Sequence, residues 1–303
     1  MRRRLDWGPL RTRVAAQIRI EMDTERPARR LRRRPGRPIR DLMESIRLLG
    51  VVAFLVACLA TGGRMLLLAR RSREIPELAL GVTLFASGGL GGVLLFLGTQ
   101  RAELLGAAAM PVRQAGILCL NAGAVSLWLF TRRVFRPQSR WATALVAAAA
   151  VGIGLGLMVD LVVAGAADFA QRRWESPWSR LGFGLRLGAY AWGALESLRY
   201  FALMRRRQRL GLADPLVANR FLLWGVAALA AVGIYAIAAA NIATGTGDGL
   251  GAGVFDPRFA LATALLGLTA ASCLWLTFFT PGFYRRRLGA RARRRYATPS
   301  TSK

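Results

Sequence analysis

Histidine is missing from the 303 residues of the chain, and lysine occurs only as Lys303. Without histidine the chain has no His-based metal site, no Ser–His or Cys–His nucleophile and no histidine proton relay. Cysteine is scarce too: Cys58, Cys119 and Cys273 each lie inside an apolar run, whereas disulfides of secreted domains normally join polar loops. We interpret the three cysteines as small buried hydrophobic residues, and we expect no metal and no cofactor.

Acidic residues are also few, with 16 Asp and Glu against 44 Lys and Arg, yet 54% of the chain is hydrophobic and the mean hydropathy is +0.34. A net charge of +28 and a positive hydropathy coexist when apolar runs lie in lipid and charges lie in the loops between them. The excess of Arg, Ala and Gly is typical of a GC-rich coding sequence. We therefore expect the lipid bilayer as partner and no nucleic acid.

Seven apolar runs of sufficient length to cross a bilayer lie between residues 43 and 284. They cover residues 46–68, 75–97, 110–131, 141–163, 183–204, 217–240 and 257–280. Lipid offers the backbone no hydrogen-bond partners, so each run must be helical, and none shows the alternation of a β-barrel strand. The sequence predicts an all-α polytopic membrane protein, a bundle of seven transmembrane helices in a cell membrane.

The loops between the runs differ sharply in charge. When they are assigned alternately to two sides, nineteen basic residues fall on one side and six on the other. The basic side includes the stretch 205–209, with four arginines in five positions, and the basic tail 285–303. The positive-inside rule predicts a cytoplasmic C-terminus and an N-terminus outside.

Residues 1–42 contradict this asymmetry, because they add fourteen arginines to the outer side. Their composition predicts a disordered basic extension. One hypothesis is that Met43 is the native initiator, which leaves a short and nearly neutral N-terminus before the first run. The alternative is a genuine basic tail held at an anionic lipid surface.

Five polar or aromatic residues within the runs form a candidate intramembrane site. Glu196 is followed by Arg199 and Tyr200 at three and four residues and preceded by Trp192 at four, a spacing that places them on one helix face. Asn121 lies near the middle of the third run. Charged groups within spans usually face the bundle interior. The site is either a ligand, ion or proton site, or a local ion pair of Glu196 with Arg199 that also holds neighbouring helices together.

Two further pairs of opposite charge lie at matched depths on neighbouring runs. Asp160 and Arg186 lie near the outer ends of the fourth and fifth runs, and Arg64 and Glu77 near the inner ends of the first and second. We expect both to be structural ion pairs.

Glycines recur at four-residue spacing in two runs. Gly88 and Gly92 lie in the second run, and Gly152 and Gly156 in the fourth. Such spacing lets helix backbones approach closely. The partners of these faces can lie in the same chain or in a second copy, so the oligomeric state stays open at this point.

Four stretches near the ends of the runs carry a resemblance to known proteins. They are Pro76-Glu77-Leu78-Ala79-Leu80-Gly81, Arg132-Arg133-Val134-Phe135-Arg136-Pro137, Arg209-Leu210-Gly211-Leu212-Ala213-Asp214-Pro215 with Asn219-Arg220-Phe221, and Thr277-Phe278-Phe279-Thr280-Pro281-Gly282-Phe283-Tyr284. With them the chain resembles bacterial seven-helix membrane proteins and the membrane portion of some seven-helix bacterial sensor kinases. The resemblance implies signalling, and the short tail implies that a separate cytoplasmic signalling protein carries the output.

The same arrangement of seven helices with an outer N-terminus is found in rhodopsins and G-protein-coupled receptors. A retinal Schiff base needs a lysine in the seventh helix, and run 257–280 has none. The leading hypothesis is a non-enzymatic, sensor-like or receptor-like membrane module. One alternative is a small-molecule transporter or transporter subunit, although no convincing internal repeat is visible. The other is an intramembrane enzyme, although no Asp-Asp pair and no Gly-x-Ser-x-Gly motif is present, so we predict no catalytic residues.

Overall fold

The computed structural model describes residues 37–163, 165, 174–243, 257–279, 282 and 284. Contacts divide the chain into two units, Met1–Leu42 and Met43–Lys303. In the first unit only the start of a helix is described. The predictions for residues 1–36 and for the tail 285–303 therefore lie outside the described residues.

The second unit is built from long helices. We name them α1 (Arg37–Ser72), α2 (the consecutive segments Ile75–Val82, Thr83–Leu90 and Gly91–Gln100), α3 (Ala109–Phe135), α4 (Arg140–Val163), α5 (Pro177–Arg209), α6 (Pro215–Ala243) and α7 (Pro257–Phe278). The middle segment of α2 is a π-helix. Two short turns, Ala102–Leu105 and Gly106–Ala108, precede α3. Each predicted run lies in one of these helices. In the seventh run, residue 279 follows the end of α7 and residue 280 lies outside the described residues. The described residues contain no strand, which confirms the all-α class.

Six of the helices, all except α5, are long and apolar enough to cross a membrane. They make the chain a multi-pass membrane protein. Helix α5 has 33 residues, which corresponds to about 50 Å at the α-helical rise, but Arg186 and Glu196 interrupt its apolar sequence. The difference between six and seven spans therefore depends on α5.

Consecutive helices are neighbours, and the last one returns to the first. Helix α3 packs on α2, α4 and α5, while α6 packs on α5 and α7. A Cβ added at Gly50 of α1 would lie 2.6 Å from the Ala264 carbonyl oxygen of α7. The seven helices thus enclose a common interior, in which α3 and α5 touch.

The glycine repeats allow close helix crossings within this chain. A Cβ added at Gly156 of α4 would lie 3.0 Å from Gly182 Cα of α5, and one added at Gly88 of α2 would meet Cys58 of α1. A side chain at either position has no room, since backbone or core atoms occupy the space. Both repeats therefore face helices of the same chain.

The loop between α5 and α6 closes the arginine-rich end of α5. Gly211 adopts a left-handed conformation with φ of 73°, and Leu212 N donates to Arg207 O at 3.0 Å. Asp214 then accepts a 2.8 Å hydrogen bond from Leu216 N at the start of α6. The glycine ends one helix and the aspartate caps the next, which turns the chain back within five residues, 210–214.

Candidate functional site

One face of α5 carries polar side chains into the bundle. Arg186, Tyr190, Glu196 and Tyr200 recur at helical spacing, and we call this set the polar face of α5. It extends over fourteen residues, about 21 Å along the axis. Arg186 is fully buried and Glu196 is 6% exposed. The helix can hold these charges because its interior neighbours supply polar partners.

A buried cluster of Asn121, Asp160 and Arg186 joins α3, α4 and α5. Arg186 Nη1 donates to Asn121 Oδ1 at 2.7 Å and lies 3.8 Å from Asp160 Oδ2. Asp160 is fully buried, and Asn121 is 2% exposed. The structure therefore brings the predicted Asp160–Arg186 pair together. It also adds Asn121 to this pair, whereas the sequence grouped Asn121 with Glu196 in the candidate intramembrane site.

The close crossing of α4 and α5 makes room for this cluster. Helical side chains point towards the N-terminus, so the Arg186 guanidinium runs back along α5 over Gly182. A Cβ at Gly182 would lie 3.8 Å from Arg186 Nη1 and 3.3 Å from Gly156 Cα. The two glycines thus let the helices approach while a buried arginine lies beside their crossing.

Glu196 finds its partner outside its own helix. Its Oε1 accepts a 2.8 Å hydrogen bond from Nε of Arg136, the residue that follows α3. Its Oε2 is buried and has no hydrogen-bond partner among the described residues. Arg199 is exposed. This corrects the expected pairing of Glu196 with Arg199: the two residues are close in sequence, but Glu196 faces α3 whereas Arg199 faces outward.

Aromatic rings surround the Arg136–Glu196 pair. Arg136 lies 5.8 Å from the ring centroid of Trp141, and Trp141 in turn contacts Trp192 at 6.1 Å between centroids. Tyr200 donates its hydroxyl to Phe135 O at 3.3 Å. Trp192 and Tyr200 therefore belong to this region, as the sequence predicts, through contacts with α3 and α4.

Arg64 and Glu77 have separate partners. Arg64 Nη1 donates to Phe278 O at 2.9 Å at the end of α7, while the Glu77 carboxylate accepts from the Ser72 hydroxyl. The structure therefore does not form the expected ion pair between Arg64 and Glu77. Arg64 is directed towards the end of α7, and Ser72, the last residue of α1, is the donor to Glu77.

A small cavity lies in the middle of the bundle, and we call it the core cavity. It measures about 30 Å³, room for about two water molecules. The cavity is lined by small residues at Gly88, Gly193, Ala227, Ala228, Ala231 and Ala270. The other residues that line it are Phe54, Cys58, Thr83, Leu84, Leu127, Tyr190, Trp224 and Leu274. The cavity is bounded by α1, α2, α3, α5, α6 and α7.

Among the residues that line the core cavity, Thr83 and Tyr190 carry hydroxyls and Trp224 carries an indole N–H, and they come from α2, α5 and α6. Tyr190 OH and Ser87 Oγ are 3.0 Å apart. Trp224 Nε1 is buried and meets no hydrogen-bond acceptor among the described residues. The sequence does not predict Thr83, Tyr190 or Trp224 as site residues. The spacing of Tyr190 four residues after Arg186 is the one signal that could have found it.

The π-helical segment of α2 forms one wall of the core cavity. Thr83 Oγ1 lies 2.8 Å from Ala79 O and 3.2 Å from Gly123 O of α3, so its hydroxyl meets carbonyls of two helices. Ser87 packs directly on Gly123, where a Cβ would clash with it. Single π-helical turns in α-helices often mark functional sites, and this one presents Ser87 to Tyr190.

Within the described residues no group of three or more His, Cys, Asp or Glu could hold a metal ion. The polar groups of the bundle are suited to hydrogen bonding and to holding helices together. No known protein family, no curated protein and no solved structure matches the chain.

Proposed function

We propose that the chain is a non-enzymatic, sensor-like or receptor-like membrane module that responds to a small molecule in the core cavity. The observation that carries this proposal is the cavity itself, which residues of six helices line, among them residues of the π-helical segment of α2. Binding sites of helical bundles lie between the helices and combine apolar walls with a few placed polar groups.

The ligand we propose is small, uncharged and able to accept a hydrogen bond. Apart from Thr83, Tyr190 and Trp224, the residues that line the core cavity are apolar, and the buried indole N–H of Trp224 has no acceptor among the described residues. A charged ligand would lose its hydration without gaining an ion-pair partner there. Anything much larger than two water molecules requires a displacement of the helices, and such a displacement is what couples binding to a change of state.

We propose seven spans, with the N-terminus outside and the C-terminus in the cytoplasm of a bacterial inner membrane. The length of α5 supports its crossing, and so does the burial of Arg186 and Glu196 among the other helices. The excess of arginine in alternate loops supports the orientation.

The output we propose runs along α5 to the cytoplasmic loops. The polar face of α5 begins at the buried cluster, touches the core cavity through Tyr190 and ends at the Arg136–Glu196 pair. Shifts of α5 would therefore reach the loops 136–139 and 210–214 together. A separate cytoplasmic signalling protein that contacts these loops would complete a pathway like that of the sensor kinases which the sequence resembles.

A ligand screen tests the proposal on the purified full chain in lipid nanodiscs. The probes are short-chain ketones, esters and ethers, and the readout is the Tm. We expect at least one probe to raise the Tm of the wild type and to lose this effect in Trp224→Phe, because the variant removes the indole donor. Trp178→Phe, at a tryptophan that is 48% exposed and does not line the core cavity, is the control. The proposal is contradicted if the active probes raise the Tm of Trp224→Phe and of Trp178→Phe by the same amount.

A transporter is the second candidate, because the π-helical interruption of α2 resembles the discontinuous helices that bind substrates in transporters. Energised membrane vesicles separate the two functions. If the protein is a sensor, the concentration of the active probe inside the vesicles stays at the level reached by passive diffusion. The probe then changes the emission of a fluorophore attached at Leu212→Cys. Accumulation above the passive level supports transport.

A further inference from the structure

A second, larger pocket opens at one end of the bundle, and none of the described residues that line it also lines the core cavity. It measures about 550 Å³, within the roughly 300–1,000 Å³ of ligand pockets. We call it the interfacial pocket and define it by Arg64, Leu67, Leu68, Arg71, Arg220 and Phe278. Of the described residues that line it, none is acidic.

Three helices bring the arginines of the interfacial pocket together. Arg64 and Arg71 lie seven residues apart on α1, which places them on one face about two turns apart. Arg220 lies in the second turn of α6. Contact with the last turn of α7 fixes Arg64, which donates to Phe278 O at 2.9 Å and lies 5.1 Å from the Phe279 ring centroid. An arginine has five N–H donors, so this contact leaves Arg64 further donors for an anion.

The position of the pocket matches the level of lipid head groups. It lies where α1 and α7 end and α6 begins, so at the end of the membrane-crossing segments. Leu67 and Leu68 on its wall are 62% and 41% exposed. Arginines beside exposed leucines offer a phosphate the charge it needs and an acyl chain the apolar surface it needs.

We infer that the interfacial pocket binds the phosphate head group of an anionic phospholipid. The arginines hold the phosphate and the leucines of α1 contact the first part of an acyl chain. A soluble phosphate shares the first interaction but not the second, so the exposed leucines favour the lipid. Binding there clamps α1, α6 and α7 at one end. The pocket lies next to the core cavity, because Phe278 contacts Trp224 with 6.3 Å between ring centroids, but lipid binding does not require a ligand in the core cavity, so the inference stands apart from the proposed function.

Native mass spectrometry of the full chain in detergent micelles tests this inference. The probes are phosphatidylglycerol and phosphatidylcholine with the same acyl chains. The variant is Arg71→Gln with Arg220→Gln, which keeps Arg64 and its contact with Phe278 and therefore retains the fold. The matched control is Arg206→Gln with Arg209→Gln, which removes the same charge from exposed positions at the end of α5.

We expect the wild type to retain phosphatidylglycerol in preference to phosphatidylcholine. The pocket variant should bind phosphatidylglycerol about 25-fold more weakly, since each arginine near an anionic lipid contributes roughly a factor of five. The control should bind as the wild type does. Equal loss in both variants, or no preference in the wild type, overturns the inference. Displacement of the lipid by millimolar inorganic phosphate also overturns it, because the site would then recognise a soluble anion.

Discussion

Arg136 Nε lies 2.8 Å from Glu196 Oε1, which ties the residue after α3 to the middle third of α5. The side chain of Glu196 is 7% exposed and that of Arg136 is 28% exposed. Arg136 belongs to a group of loop arginines that indicates membrane orientation, so one member of that group also holds two helices together. The unequal burial of the two side chains gives the pair an asymmetry that stability measurements can detect.

The first prediction is that Arg136→Gln destabilises the bundle more than Glu196→Gln does. Loss of Arg136 leaves a buried carboxylate without its cation. We expect about 2 kcal/mol, less than the roughly 3–5 kcal/mol of a fully buried pair, because Arg136 is partly exposed. Loss of the carboxylate charge leaves a partly solvated arginine and should cost about 1 kcal/mol. The free energy of unfolding in SDS-containing mixed micelles gives both values.

The double variant supplies the control for this pair. If the hydrogen bond is the shared cause, Arg136→Gln with Glu196→Gln should cost less than the two single changes added together. Additive costs, or a larger cost for Glu196→Gln alone, would mean that the pair is not what stabilises this end of the bundle.

The second prediction concerns the buried cluster. Asp160→Asn removes a counter-charge from the buried Arg186, and we expect it to lower the free energy of unfolding by about 3–5 kcal/mol. Asn121→Ala removes one hydrogen bond to Arg186 and should cost about 1–3 kcal/mol. Arg140→Gln, at an exposed arginine at the start of α4, should stay within about 0.5 kcal/mol of the wild type. Thermal unfolding in nanodiscs checks the order, and an Asp160→Asn protein as stable as the control contradicts it.

The sequence predicts helix positions well because the apolar runs alone determine them. It also predicts that Arg186 and Glu196 face the interior, since charges inside a span have little alternative. The observed partners were harder to predict. The i, i+3 spacing identifies which residues share a face, and it made Arg199 the apparent partner of Glu196. The real partner, Arg136, is sixty positions away in sequence and is reached only through the packing of α3 on α5.

The core cavity illustrates a second limit. Ser87 lies in the glycine-rich segment of α2. The sequence predicts a close helix contact for this segment, and the structure contains that contact. The π-helical segment changes which side of α2 each residue faces, and no periodicity in the apolar run signals it. Tyr190 and Trp224 resemble ordinary interior aromatic residues in the sequence, and only the structure shows that both line one cavity.

The third prediction compares two glycines of α4. Gly156 faces the backbone of Gly182, whereas a Cβ at Gly154 would meet nothing within 4 Å. Gly156→Ala should therefore destabilise the protein by about 1–3 kcal/mol through overpacking. Gly154→Ala should be neutral or stabilising by less than about 1 kcal/mol, because alanine is the better helix former. Unfolding in mixed micelles measures both, and equal effects would show that α4 and α5 do not cross closely at Gly156.

The last prediction decides whether α5 crosses the membrane. Two exposed positions flank it: Glu175 precedes α5, and Leu212, 74% exposed, follows it. A membrane-impermeant maleimide should label Glu175→Cys in right-side-out vesicles and should label Leu212→Cys only after permeabilisation. The wild type gives the background, since Cys58 and Cys273 are buried and Cys119 lies within α3. If both cysteines react from the same side, α5 does not cross and the bundle has six spans. If the order is reversed, α5 crosses but the proposed orientation is wrong, because the arginine-rich end of α5, residues 205–209, would then lie outside.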